Sequence, residues 1–210
     1  MLASIIPAIP TGADLTACLL VISFSAGLNV YATVAMLGIL SRVGALALPP
    51  SLHPVANTYV IAACAVMFLV EFVADKIPVF DLFWNALQTF VRVPVAAVLA
   101  YGATSQLPKG EQLIATLLGA VIAFAAHGGK VAARAAVTHS PEPFSNIALS
   151  LGEDTAVVLL TWLATRHPYA SAGIVVVLLA LIIVMVRFVW RALRQLSGAP
   201  RETLRAYSAR

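Results

Sequence analysis

Long apolar stretches, each about the length of a membrane-spanning helix, follow one another through most of this sequence. They lie at residues 15–40, 57–75, 80–104, 112–137, 144–165 and 170–188. A helix needs roughly 20 apolar residues to cross a bilayer. Hydrophobic residues make up 61% of the chain and charged residues only 10%, whereas a soluble domain is roughly half apolar and a quarter charged. The pattern predicts an all-α, polytopic transmembrane helix bundle of about six spans.

The polar remainder of the chain is too short to build a soluble core. We therefore expect one transmembrane domain over 1–195 and a basic tail over 196–210. Arginines crowd the end of the chain, at Arg187, Arg191, Arg194, Arg201, Arg205 and Arg210. By the positive-inside rule this bias predicts a cytoplasmic C-terminus, and six crossings would place the N-terminus on the same side. A tail without its own fold or aromatic platforms does not indicate nucleic-acid binding.

Several charged residues lie within the apolar segments or at their ends. They are Glu71, Asp75, Arg92, Lys130, Arg134, Glu153 and Asp154. An ionisable residue at membrane depth costs on the order of 3 kcal/mol on insertion scales, so such residues face the bundle interior, a partner or water. We predict an interior network in which the second and fifth segments supply carboxylates and the third and fourth supply cations. The alternative is that these charges only fix helix packing, cap helices or extend to the headgroups.

The third and fifth segments are interrupted by polar residues at comparable places, at Arg92 and Pro94 in one and at 152–154 in the other. Interrupted helices at matching positions are typical of a transport site, because freed backbone groups can bind ions there. We expect either segment to be a broken or re-entrant helix. A register that aligns Asn85 with Asn146 also suggests an internal repeat of 57–107 and 112–168, although apolar helices align easily by chance.

Uncharged polar residues complete the candidate substrate or ion site: Asn29, Asn85, Asn146 and His127. Each asparagine could equally make a helix–helix hydrogen bond worth about 0.6 kcal/mol. A histidine can titrate near neutral pH, but a neutral, hydrogen-bonded His127 is the interpretation we favour.

The sequence favours transport over catalysis. It contains neither an H-E-x-x-H zinc motif nor a G-x-S-x-G serine motif, so we expect no enzyme, no metal and no cofactor. The leading hypothesis is transport of a small ion or solute, coupled to protons, with the lipid bilayer as the other partner. The alternatives are a translocase for a lipid or polyprenyl-phosphate headgroup and a non-transporting scaffold or assembly factor. A homo-oligomer is compatible with each of them.

Four short motifs resemble a bacterial family of small multi-pass membrane proteins that is catalogued only as a domain of unknown function. The motifs are SAGLN at 25–29, EFVADKIP at 71–78, HGGK at 127–130, and PFSN at 143–146 followed by Glu153-Asp154. The resemblance covers nearly the whole chain except the tail. It implies a helical domain in the bacterial inner membrane, and it carries no activity and no residue roles.

Overall fold

A computed structural model describes residues 12–137 and 143–197, and the predicted tail beyond residue 197 lies outside this range. All secondary-structure elements of these residues are helices. These are α1 (Gly12–Leu28), α2 (Val30–Arg42), a short 3-10 helix (Pro50–Ala56), α3 (Thr58–Ala74), α4 (Pro78–Ala103), α5 (Lys109–Val137), α6 (Pro143–Arg166) and α7 (Pro168–Ser197). The prediction of an all-α membrane bundle is confirmed.

The first apolar segment forms a hairpin of two helices instead of one span. The backbone of Asn29 is extended, with φ −150° and ψ 101°, and it separates α1 from α2. Leu15 and Ile22 of α1 line the same cavity as Leu37 near the end of α2 and Leu46 beyond it. The second helix therefore returns along the first. We call residues 12–42 the α1–α2 hairpin, and Asn29 is its apex.

The α1–α2 hairpin is inserted deeply among the other helices. Phe24 and Leu28 of α1 pack with Val157 and Leu160 of α6 in one apolar cluster. On the other side, a second cluster joins the hairpin to α4 and α5. At about 1.5 Å rise per residue, α1 carries the chain roughly 25 Å before it turns, which places the apex inside the bundle.

Four helices are long and apolar enough to cross a membrane, and the number is five if the 3-10 helix and α3 form one span bent by 60°. Since the first segment turns back on itself, it adds no crossing to this number. The expectation that both termini lie on the cytoplasmic side stays a prediction.

The expected interruptions of the third and fifth segments are wrong. Helix α4 continues through Arg92 and Pro94, and α6 continues through 152–154. Arg92 does not break its helix because its charge is met by partners from other helices. The break in the fold lies instead at Asn29.

Candidate functional site

Seven charged side chains from α3, α4, α5 and α6 meet inside the bundle. We call them the interior charge cluster: Glu71, Asp75, Arg92, Lys130, Arg134, Glu153 and Asp154. Apart from Glu153, whose side chain is 10% exposed, each is buried. The helices supply acids and bases in the arrangement expected from the sequence, with acids from α3 and α6 and cations from α4 and α5. Whether these residues bind a substrate stays a prediction.

Glu71 is the centre of the upper half of the cluster. One of its carboxylate oxygens, Oε1, accepts hydrogen bonds from Arg92 and from Lys130, the latter at 3.2 Å. All three side chains are fully buried. Breaking one buried ion pair leaves an uncompensated charge and costs about 3–5 kcal/mol. This half of the cluster therefore holds α3, α4 and α5 together.

The lower half of the cluster is centred on Arg134. Its Nη2 atom lies 2.7 Å from Asp75 Oδ2 and 2.8 Å from Glu153 Oε2. Lys130 lies 3.1 Å from the same Asp75 oxygen and 3.3 Å from Glu153. Both cations are thus neutralised inside the protein and do not extend to the headgroups. Asp75 also ends α3 as its C-terminal cap.

Two cations of the cluster also contact the end of α1. Arg92 Nη1 lies 3.4 Å from the carbonyl oxygen of Gly27, and Lys130 Nζ lies 3.4 Å from that of Leu28. The last carbonyls of a helix have no partner within the helix, and they carry the negative end of its dipole. The sequence analysis did not identify these carbonyl groups as part of the site, because only the turn at Asn29 leaves them free to contact the cations.

Asn29 connects the hairpin apex to α6. Its Oδ1 atom accepts from the backbone N–H of Ala32 and so caps the N-terminus of α2. Its Nδ2 atom donates to Asp154 Oδ1 at 3.0 Å. In the described part of the chain, Asp154 makes no salt bridge, whereas every other acid of the cluster pairs with two cations.

His127 lies behind Arg92 and is hydrogen-bonded through both ring nitrogens. Arg92 lies 2.8 Å from Nδ1, while Nε2 lies 3.0 Å from the carbonyl oxygen of Asn85 and 2.8 Å from the hydroxyl of Thr89. An arginine can only donate, so Nδ1 is the acceptor and the proton is on Nε2. This geometry agrees with a neutral core histidine that orients Arg92.

The remaining predicted residues occupy different places. Asn85 reaches this region through its backbone carbonyl, and the side chain of Asn146 lies outside the described residues. Lys76, just after α3, donates to the carbonyl of Phe72 at 2.7 Å. Partial burial lowers the pKa of Lys76, and the nearby Asp154 and Asp75 oppose that effect.

An open groove approaches the cluster from the side of the bundle. It has a volume of about 590 Å³ and lies between α5, α6 and α7. Its lining is mostly apolar, with Phe24, Leu149 and Leu181 among its walls, and it also includes Lys130 and Glu153. The groove gives an amphiphilic molecule a route to charged groups.

The fold and the cluster together define a polytopic α-helical membrane protein with a buried charged site at the apex of a helical hairpin. A family model described as Domain of unknown function (DUF4126) matches residues 16–188. The chain therefore belongs to that family. Neither the curated proteins nor the solved structures contain a match.

Proposed function

We propose that this protein is a membrane transporter that moves a small ion or solute past the interior charge cluster, coupled to protons. The single observation that carries this proposal is the meeting of two helix ends at Asn29, inside the bundle and against buried ions. The protein acts without covalent chemistry in the bacterial inner membrane, and its basic tail lies in the cytoplasm.

The backbone geometry supports transport better than a purely structural role. Discontinuous helices whose ends point at a buried site are a recurring device in secondary transporters, since such ends bind ions through their dipoles and free backbone groups. Here the C-terminal carbonyls of Gly27 and Leu28 contact cations of the cluster. A packing device would not need a broken helix, because continuous helices can carry the same ion pairs.

The test is flux through the purified full-length protein in liposomes. Charge displacement and internal pH are recorded while panels of inorganic ions, organic anions, amines and amino acids are applied across a pH gradient. We expect at least one class to give flux that Glu71→Gln abolishes and that Glu111→Gln, in the first turn of α5, leaves intact. Flux that is equal in empty liposomes and in all variants would overturn the proposal.

A lipid headgroup is the second candidate substrate, and the side groove favours it. Apolar walls and the ammonium of Lys130 suit acyl chains and a phosphate headgroup. Liposomes with fluorescent phospholipid in one leaflet distinguish the two functions. Protein-dependent transfer of the label between leaflets, lost in Lys130→Met, would favour translocation, whereas solute flux without label transfer would exclude it.

The scaffold interpretation makes a different prediction for the pair of Asp75 and Arg134. The double variant Asp75→Asn with Arg134→Gln removes one acid and one base and leaves Glu153 paired with Lys130. If the charges only fix packing, the double variant should keep the wild-type unfolding midpoint, and neither protein should give flux. If the site handles an ion, the double variant should fold but lose the flux that the wild type gives.

A further inference from the structure

The interior charge cluster has one more acid than it has bases. Four carboxylates face three cations, and each cation contacts at least one of Glu71, Asp75 and Glu153. Asp154 is the remaining carboxylate, and within residues 12–137 and 143–197 its side chain hydrogen-bonds only to the neutral amide of Asn29. Its other oxygen, Oδ2, is buried and has no hydrogen-bond partner among the described residues. A buried carboxylate in this situation is costly when it is ionised.

Two buried hydroxyls continue from Asp154 along one face of α6. Ser150 lies one turn before Asp154 and Thr161 lies two turns after it, so the three side chains share a face. Both hydroxyls are fully buried, and neither has a partner within the described chain. Buried polar atoms without a protein partner usually bond to water or an ion. The buried polar groups of α6 thus lie on one helix face, with the apolar Val157 between Asp154 and Thr161.

Together these observations identify a single-charge site, and we propose that Asp154 binds and releases the coupling proton. This inference rests on the proposed transport function and assigns its coupling proton to one residue. One proton neutralises the excess charge, and it belongs on Oδ2 because Oδ1 accepts from Asn29. A metal cation would need several oxygen ligands, and the described residues contain no group of three acidic, histidine or cysteine side chains arranged to hold one.

Several ionisable groups surround Asp154 and set the field in which it titrates. They are Lys130 from α5, Glu71 and Asp75 from α3, and Lys76 just after α3, together with Arg92, Arg134 and Glu153, which pair with the same acids and cations. The hairpin contributes the uncharged Asn29. Each of the other three acids pairs with two cations at close range, so Asp154 is the acid of the cluster whose charge can change without breaking a salt bridge among the described residues.

Asn29 transmits the protonation state of Asp154 to the hairpin. The ionised carboxylate accepts a charge-assisted hydrogen bond from Nδ2, and such bonds are roughly twice as strong as neutral ones. The same amide caps α2 through Oδ1. Protonation therefore weakens the attachment of the apex to α6, and deprotonation restores it. This is the two-state change that coupling requires.

Infrared difference spectroscopy of the full-length protein in liposomes tests the inference without a substrate. As pH is varied, the wild type should show the carbonyl stretch of a protonated carboxyl group appearing and disappearing. Asp154→Asn keeps the size of the side chain and should lose that band completely. Glu153→Gln, which changes the neighbouring acid that is paired with two cations, should retain it.

The result also separates this inference from the proposed function. A titrating band that persists in Asp154→Asn, or a wild-type carboxylate signal that responds to sodium and not to pH, overturns the proton site. If the band behaves as expected but no variant or wild-type protein gives flux, the proton site stands and transport fails. If the wild type gives flux and Asp154→Asn still accumulates solute when a pH gradient is the driving force, transport stands and the coupling role of Asp154 fails.

Discussion

The side-chain amide of Asn29 donates to Asp154 at 3.0 Å while the amide oxygen caps the next helix. Asn29 therefore separates α1 from α2, and its side chain caps α2 and connects the hairpin to the charged site. Asparagine suits this place because its side chain offers a donor and an acceptor at once.

The double role of Asn29 predicts an unusually large effect for Asn29→Ala. Loss of a helix cap costs about 1 kcal/mol, and a buried acceptor left without its donor costs about 1–3 kcal/mol more. Asn57→Ala is the matched control, because Asn57 caps α3 in the same way but is exposed. The unfolding midpoint in mixed detergent micelles should fall further for Asn29→Ala. Equal losses in the two variants would show that the contact to Asp154 contributes nothing.

Arg92 should tolerate neither removal nor replacement by lysine. Its guanidinium contacts Glu71, His127 and the carbonyl of Gly27, and a single ammonium cannot reproduce that geometry. We expect Arg92→Met to lose about 3–5 kcal/mol of unfolding free energy. The exposed Lys109→Met should change it by less than about 0.5 kcal/mol. A stable, folded Arg92→Met protein would contradict the assignment of Arg92 to the core of the cluster.

The approach of α1 to α5 depends on the absence of a side chain at Gly27. A Cβ atom at this position would meet the backbone of Ala123, with the Ala123 Cα at 2.8 Å. Gly27→Ala should therefore destabilise the protein by about 1–3 kcal/mol, since neither backbone can move freely. At Gly128 a Cβ has open space, so Gly128→Ala should be neutral or stabilise α5 by up to about 1 kcal/mol. Thermal unfolding of the two variants side by side measures the difference, and a harmless Gly27→Ala would contradict the close packing of the hairpin.

The hydrogen bonds of His127 predict one tautomer. Because Arg92 donates to Nδ1, nitrogen NMR of ¹⁵N-histidine-labelled protein at neutral pH should show the proton on Nε2 alone. The exposed His167 gives a second pair of ring-nitrogen signals for reference. An Nδ1-protonated His127 in the wild type would exclude the hydrogen bond from Arg92.

The sequence predicted the composition of the cluster better than the path of the chain. The cost of placing Glu71 or Lys130 in hydrocarbon is a local property, so their burial against opposite charges follows from the residue types. The partners were less predictable. Glu71 pairs with Arg92 and Lys130, and residue type alone does not say which cations of the network it meets. The internal repeat stays a prediction.

Apolar length and charge content by themselves determined that this chain is a helical membrane protein and that its acids and bases lie inside. The tertiary structure alone decided where the helices break. The apolar run around Asn29 is compatible with a single span and with a hairpin, because lipid exposure and burial among helices favour the same side chains. The sequence suggested that Arg92 and Asp154 interrupt their helices. The helices instead continue through them, since partners from distant segments satisfy their polar groups. Only the assembled bundle brings those partners within hydrogen-bonding distance.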